Sequence, residues 1–127
     1  MKLRVRNNSI RLRLTQPEVA AFAATGKVEE AIEFGLTDDK KLIYKIEKAE
    51  ASSVRAEFED GVITILVPTA QAENWTSTSE IGIKAEQDLG GEKTLKILIE
   101  KDFACLEARE GEEDNDAFPH PEQRKVC

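Results

Sequence analysis

His120 is the only histidine in this 127-residue chain, and Cys105 and Cys127 are its only thiols. Any Ser-His-Asp or Cys-His arrangement would have to pass through that one imidazole. Pro119 and Pro121 flank it, and proline on both sides favours an extended, exposed segment. A general base needs an oriented and shielded position instead, so no catalytic residue is assigned. The second chemistry on offer is metal binding. Cys105, Asp114, Asp116, His120 and Cys127 include ligand types that zinc accepts. Their spacing matches no C-x-x-C or H-x-x-x-H pair. The acidic run at residues 112–116 lacks the glycine and the distant glutamate of a calcium loop, and a solvated acidic loop accounts for the same residues. The sequence has no G-x-G-x-x-G, G-x-x-x-x-G-K-[ST] or G-x-S-x-G, so no cofactor is expected.

Charge is distributed unevenly. The net charge is −7, from 25 acidic and 18 basic side chains. That surplus of acid argues against general nucleic-acid binding, which displaces counterions with basic surface. Yet residues 1–15 hold five basic side chains and no acidic one, whereas residues 107–118 hold six acids against Arg109. The basic end makes Arg4, Arg11 and Arg13 candidates for contact with an anionic small molecule or a protein partner. Trp75, the sole tryptophan, is a candidate anchor for a partner, although core packing is the commoner use of so large an aromatic. No run reaches the ~18 apolar residues of a membrane span. The alternating charges of residues 1–6 leave no apolar stretch for a signal peptide. A cytoplasmic protein without membrane association is expected, and two cysteines are too few for a disulfide scaffold.

These side chains need elements to position them. Asn7 and Asn8 offer the positive φ of a tight turn, which pairs Val5 with Ile10 and Leu3 with Leu12 on one apolar face. The other face then opposes Arg4 to Arg11 and Lys2 to Arg13. Like charges directly across a ladder repel, and Glu29 and Glu33 on a neighbouring strand are the expected neutralising groups. Thr15 and Glu18 form a capping box, with Pro17 in the first turn and Leu14 and Val19 at the positions of a hydrophobic staple. The helix predicted over residues 16–25 carries Val19, Phe22 and Ala23 on its apolar stripe and stops at Gly26. Period-two alternation follows. Val28, Ile32 and Phe34 face one way, Glu29, Ala31 and Glu33 the other, and Leu42, Tyr44 and Ile46 mark the next strand. Asp60-Gly61 is a strong hairpin turn that aligns Phe58 with Ile63, Ala56 with Ile65 and Val54 with Val67. Thr69 starts a short helix reaching Trp75. Ile81, Ile83 and Ala85, then Leu95, Ile97 and Ile99, give two last strands, the second running toward Phe103 and Cys105.

This order reads as an α+β domain, predominantly antiparallel: about seven strands in a curled sheet or small barrel, one N-terminal helix, one short helix and no internal repeat. Residues 1–106 form the β-rich domain, and residues 107–127 form an acidic C-terminal tail packed back on it. Residues 56–68 resemble the strand pair of small heat-shock proteins, but the N-terminal hairpin and capped helix do not fit that sandwich. The segments NSIRLRLTQPEV (residues 8–19), GVITILVP (61–68), IGIKAEQ (81–87), LIEKDFACL (98–106) and DAFPHP (116–121) resemble a family of small bacterial proteins of unknown function. That resemblance runs over nearly the whole chain. It implies a single-domain protein and carries no activity, cofactor or site residue.

Three functions fit these readings. The first is a non-enzymatic binding or interaction module, its charge divided between a cationic hairpin face and an acidic tail, with edge strands as a route to oligomers. The second is a small enzyme using carboxylates in the mouth of a β-barrel. The third is a metal- or thiol-dependent sensor built on Cys105, His120 and Cys127.

Overall fold

The structure, a computed structural model, describes residues 1–103. The described residues form eight strands and two α-helices: β1 (Lys2–Arg6), β2 (Ser9–Leu14), α1 (Gln16–Thr25), β3 (Lys27–Glu33), β4 (Lys41–Ala49), β5 (Arg55–Glu59), β6 (Val62–Pro68), α2 (Thr69–Ser77), β7 (Gly82–Gly90) and β8 (Lys93–Lys101). The strands make two four-stranded sheets, ordered β1-β2-β8-β7 and β3-β4-β6-β5. The α+β class holds, but the described residues hold eight strands rather than about seven, and neither sheet closes or curls into a barrel.

Local chemistry produced the hairpins as the residues imply. Asn7 takes φ 51°, and Asp60 and Gly61 take 49° and 77°. Both turns set the registers read from the apolar pattern, with Val5 opposite Ile10, Leu3 opposite Leu12, Phe58 opposite Ile63 and Ala56 opposite Ile65. Helix α1 starts where Glu18 Oε1 accepts from the Thr15 backbone N–H at 2.9 Å. It stops at Gly26, whose φ of 79° few other residues tolerate and whose N–H bonds to the Phe22 carbonyl.

What local chemistry did not set is how the hairpins join. Strands that follow each other in a hairpin are antiparallel as expected, yet β2 pairs with β8 in parallel, and so does β4 with β6, which makes both sheets mixed. Each sheet is two hairpins fused through their second strands. The connection from β2 to β8 runs through both helices and the opposite sheet, whereas that from β4 to β6 passes through β5 at the edge of the same sheet, and both are long enough to allow parallel pairing.

The order ββα-ββ occurs twice, and the expectation of no repeat is overturned. An offset of 53 residues carries β1 onto β5, β2 onto β6 and Leu12 onto Ile65. The same offset carries the parallel register Leu12↔Ile99 onto Ile65↔Ile46. Even single bonds repeat: Lys96 N–H to Asn8 O corresponds to Ile43 N–H to Gly61 O. Each sheet therefore takes one hairpin from each half of the chain.

The halves meet in one core. Leu12, Leu14, Phe22, Ile46, Ile65, Val67, Trp75 and Ile99 are almost fully buried. Phe22 of α1 and Trp75 of α2 occupy equivalent positions and touch edge to face at 6.2 Å between centroids. Above each ring lies an equivalent lysine, Lys48 at 6.0 Å and Lys101 at 5.6 Å, a cation–π arrangement that also shields the aromatic edge of the core.

Candidate functional site

Strand parity and register decide which side chains share a face. In the first sheet Leu3, Ile10, Leu12, Ile83, Ile97 and Ile99 turn inward. The alternate positions then place Lys2, Arg4 and Arg6 of β1, Arg11 and Arg13 of β2, Lys96 of β8 and Lys84 of β7 on the outer face. Glu86, Asp88 and Glu100 are the acids on these strands at the same parity. Glu100 lies beside the arginine ladder, 3.1 Å from Arg11 Nε and 3.5 Å from Arg13 Nε, and Asp102 lies 3.3 Å from Lys2 Nζ. The neutralising acids are thus Glu100 and Asp102, not Glu29 and Glu33. Those two belong to the other sheet, where Glu29 meets Lys27 and Glu33 meets Lys41. Parallel pairing of β2 with β8, which no local signal announces, is what substitutes one set for the other.

The outer face of the second sheet has a different character. Lys27, Lys41, Lys45 and Arg55 alternate there with Glu29, Glu33, Glu47, Glu57 and Glu59. Two structurally equivalent faces therefore differ in sign: Arg4 and Arg6 correspond to Glu57 and Glu59, and Lys84 to Glu29. Fold geometry alone would make the faces alike, so the difference lies in the side chains.

A second polar constellation sits on the inward side, where β3 should be apolar. Glu30 lies between Val28 and Ile32 at inward parity, opposite Tyr44. The Tyr44 hydroxyl donates to Glu30 Oε2 at 3.1 Å and lies 3.4 Å from the Met1 carbonyl oxygen. The α-ammonium of Met1 donates to both Glu18 and Glu30. Burial pushes the Glu18 carboxyl up, but hydrogen bonds from the ammonium and from Thr15 outweigh it and hold the group down at about 2. Burial also opposes the Met1 ammonium, and its two carboxylate partners raise it above 8.0 nonetheless. Tyr44 is raised above 10.0 by burial and by Glu30. The equivalent positions of the second half are apolar where Glu30 and Tyr44 stand: Ala85 and Ile97.

The sequence-derived candidates separate under this geometry. Arg4, Arg11 and Arg13 do share one face, and Arg6, Lys84 and Lys96 join them through pairings that sequence alone does not disclose. Trp75 is in the core rather than at a surface a partner would meet: it is fully buried, and its indole N–H donates to the Ile81 carbonyl at 3.1 Å. Cys105, Asp114, Asp116, His120 and Cys127 lie outside the described residues, as does the acidic tail. Among the described residues no cluster of three His, Cys, Asp or Glu side chains is arranged to hold a metal. No helix among them is long and apolar enough to cross a membrane. The Glu18–Glu30–Tyr44 cluster escaped the sequence reading, though Glu30 carried a signal: an acid interrupting the apolar parity of a half-buried strand needs a partner.

A family model matches residues 1–122 and takes in the segments quoted above. The chain belongs to DUF7009, a family of unknown function. Neither the curated proteins nor the solved structures contain a match to it. Membership accounts for nearly the whole length of the chain and assigns no activity.

Proposed function

We propose that this DUF7009 chain is a non-enzymatic binding module that takes an acidic protein segment on the outer face of its first sheet. The observation that carries this reading is the sign difference between two equivalent faces, with Lys2, Arg4, Arg6, Arg11, Arg13, Lys84 and Lys96 gathered on one of them. Basic surface on an acidic chain raises the local concentration of anionic partners and orients them before contact. A sheet face is broad and shallow, which suits a polypeptide better than a small molecule, since small ligands favour concave sites. No aromatic side chain stands at the outward positions of β1, β2, β7 or β8. That removes the stacking platform on which sheet-based single-strand nucleic-acid readers depend.

The carboxylate cluster speaks less well for an enzyme. Acid–base catalysis by paired carboxylates requires environments that push the two apart, with the acid raised. Glu18 is instead held at about 2 by the groups it binds, which is the signature of an ion pair that holds two strands and a helix together.

The test is titration with a labelled polyglutamate peptide. Reversal at two positions, Arg4→Glu with Lys84→Glu, should weaken binding about tenfold or more, and ~0.5 M salt should abolish it for the parent chain. Reversal on the other sheet, Lys45→Glu with Arg55→Glu, is the control. Equal losses from both pairs, or no binding by any chain, would count against the reading.

A further inference from the structure

The basic face lies beside the point at which the described chain ends. Strand β8 pairs with β2 up to Lys101 opposite Leu14, and the Asp102 N–H bonds to the Leu14 carbonyl at 2.8 Å. Asp102 then meets Lys2 at the start of β1. The polypeptide therefore leaves the sheet at the corner where the arginine ladder begins, and the next charged stretch is acidic, six carboxylates and one arginine over residues 107–118.

We infer that residues 107–118 are an intramolecular ligand of this face, competing for the site at which the proposed acidic partner binds. The inference rests on the binding-module reading for its functional consequence, and on charge and reach for its physical basis. Reach is sufficient. Glu107 is four positions beyond Phe103, and an extended chain covers ~13 Å over those four steps. Two inter-strand steps from β8 to β1 amount to ~10 Å. The five residues of β1 can then be followed by about as many residues of tail. Lys2, Arg4 and Arg6 lie along that path at the edge of the sheet, all exposed.

Charge selects this face over its equivalent. The second sheet presents Glu57 and Glu59 where the first presents Arg4 and Arg6, so an acidic segment laid along β5 would meet like charge. Tethering makes the contact intramolecular, and the high effective concentration lets individually weak surface pairs compete with a partner in solution. Displacement then requires a partner with more acids or better spacing than the tail supplies, which gives the module a threshold for binding.

The experiment uses the full chain and a zero-length carbodiimide, which joins a carboxylate to an amine only in contact. Lys2, Lys84 and Lys96 are the amines of the basic face, Lys27, Lys41 and Lys45 those of the other, and the Lys2–Asp102 pair at 3.3 Å is the internal control. The expected products join tail acids to Lys2, Lys84 or Lys96 and fade in ~0.5 M salt. In parallel, the chain carrying E110Q, E112Q, E113Q, D114N and D116N should bind the polyglutamate probe about tenfold more tightly than the parent, with an unchanged thermal midpoint showing that it folds. If the control link forms but tail links are missing or fall on the second sheet's lysines, the inference is overturned. Equal probe affinity of the two chains overturns it too, while leaving the binding-module reading intact. Tail links to the basic face with no probe binding by either chain would support the intramolecular contact and sink the acidic-partner reading instead.

Discussion

At Glu18 the balance of forces is unusual for a surface helix. The side chain closes the first turn of α1 through the Thr15 N–H and also accepts from the Met1 ammonium. A depressed carboxylate contributes stability above its unfolded value and loses it as pH falls toward its folded value. For Glu18 that window runs from 4.5 down to about 2. The Met1 ammonium is raised, so its share is present below 8.0 and is lost as pH climbs through its folded value. Glu18→Gln should cost about 1–3 kcal/mol at neutral pH. Urea denaturation of the two chains over a pH series should show their difference shrinking below pH 4.5, and a difference that stays flat down to pH 2 would contradict the ion pair. Acylating the α-amine removes the opposite charge of the same pair and should lower the thermal midpoint in the parent more than in Glu18→Gln. Trp75 makes a different kind of contribution, through packing. Trp75→Ala should cost about 3–5 kcal/mol, and Trp75→Phe less, because a smaller ring can still meet Phe22.

Among the elements, the hairpins and α1 were legible and the sheet pairing was not. Turn residues and alternating polarity act within about ten residues, so Asn7, Asp60 and Gly61 could announce registers that the structure bears out. Strands β2 and β8 carry the same apolar alternation as any inner strand, and nothing in Ile97 or Ile99 names Leu12 as a neighbour more than 80 residues away. For the same reason Arg4, Arg11 and Arg13 were legible as one face, whereas Lys84 and Lys96 were not. Turn geometry gives a direct comparison between two glycines. Gly61 and Gly90 both have positive φ, 77° and 84°, but a Cβ on Gly61 would stand 3.0 Å from the Lys41 carbonyl, while one on Gly90 meets nothing within 4 Å. Gly61→Ala combines backbone strain with a clash against a backbone atom. It should cost about 2 kcal/mol, against about 1 kcal/mol for Gly90→Ala, a difference readable from denaturation midpoints.

For the whole molecule the decisive feature is that each sheet is assembled from both halves of the chain. Neither half can complete a sheet alone, because β2 and β4 would expose unpaired edges that β8 and β6 cover. Cutting the chain between Ser52 and Ser53, in the exposed connection between the repeats, should therefore give two fragments that are unfolded separately. Mixed, they should recover strand circular dichroism and elute as one complex. Independent folding of either fragment would show that the halves are autonomous units. The repeat escaped the sequence because equivalent positions preserve character and seldom identity: Leu12 with Ile65, Leu14 with Val67, Phe22 with Trp75, and only a few such as Lys48 with Lys101 unchanged. By itself the sequence determined the hairpins, the first helix with both its caps, the apolar faces and the sign of each charged stretch, since all of these follow from residues close in the chain. Tertiary structure decided the parallel seams, the number of sheets, the partners of Arg11 and Arg13 and the gathering of seven cations on one face. Those depend on contacts between distant segments, whose free energy comes from burying whole apolar faces together and leaves no mark at any single position.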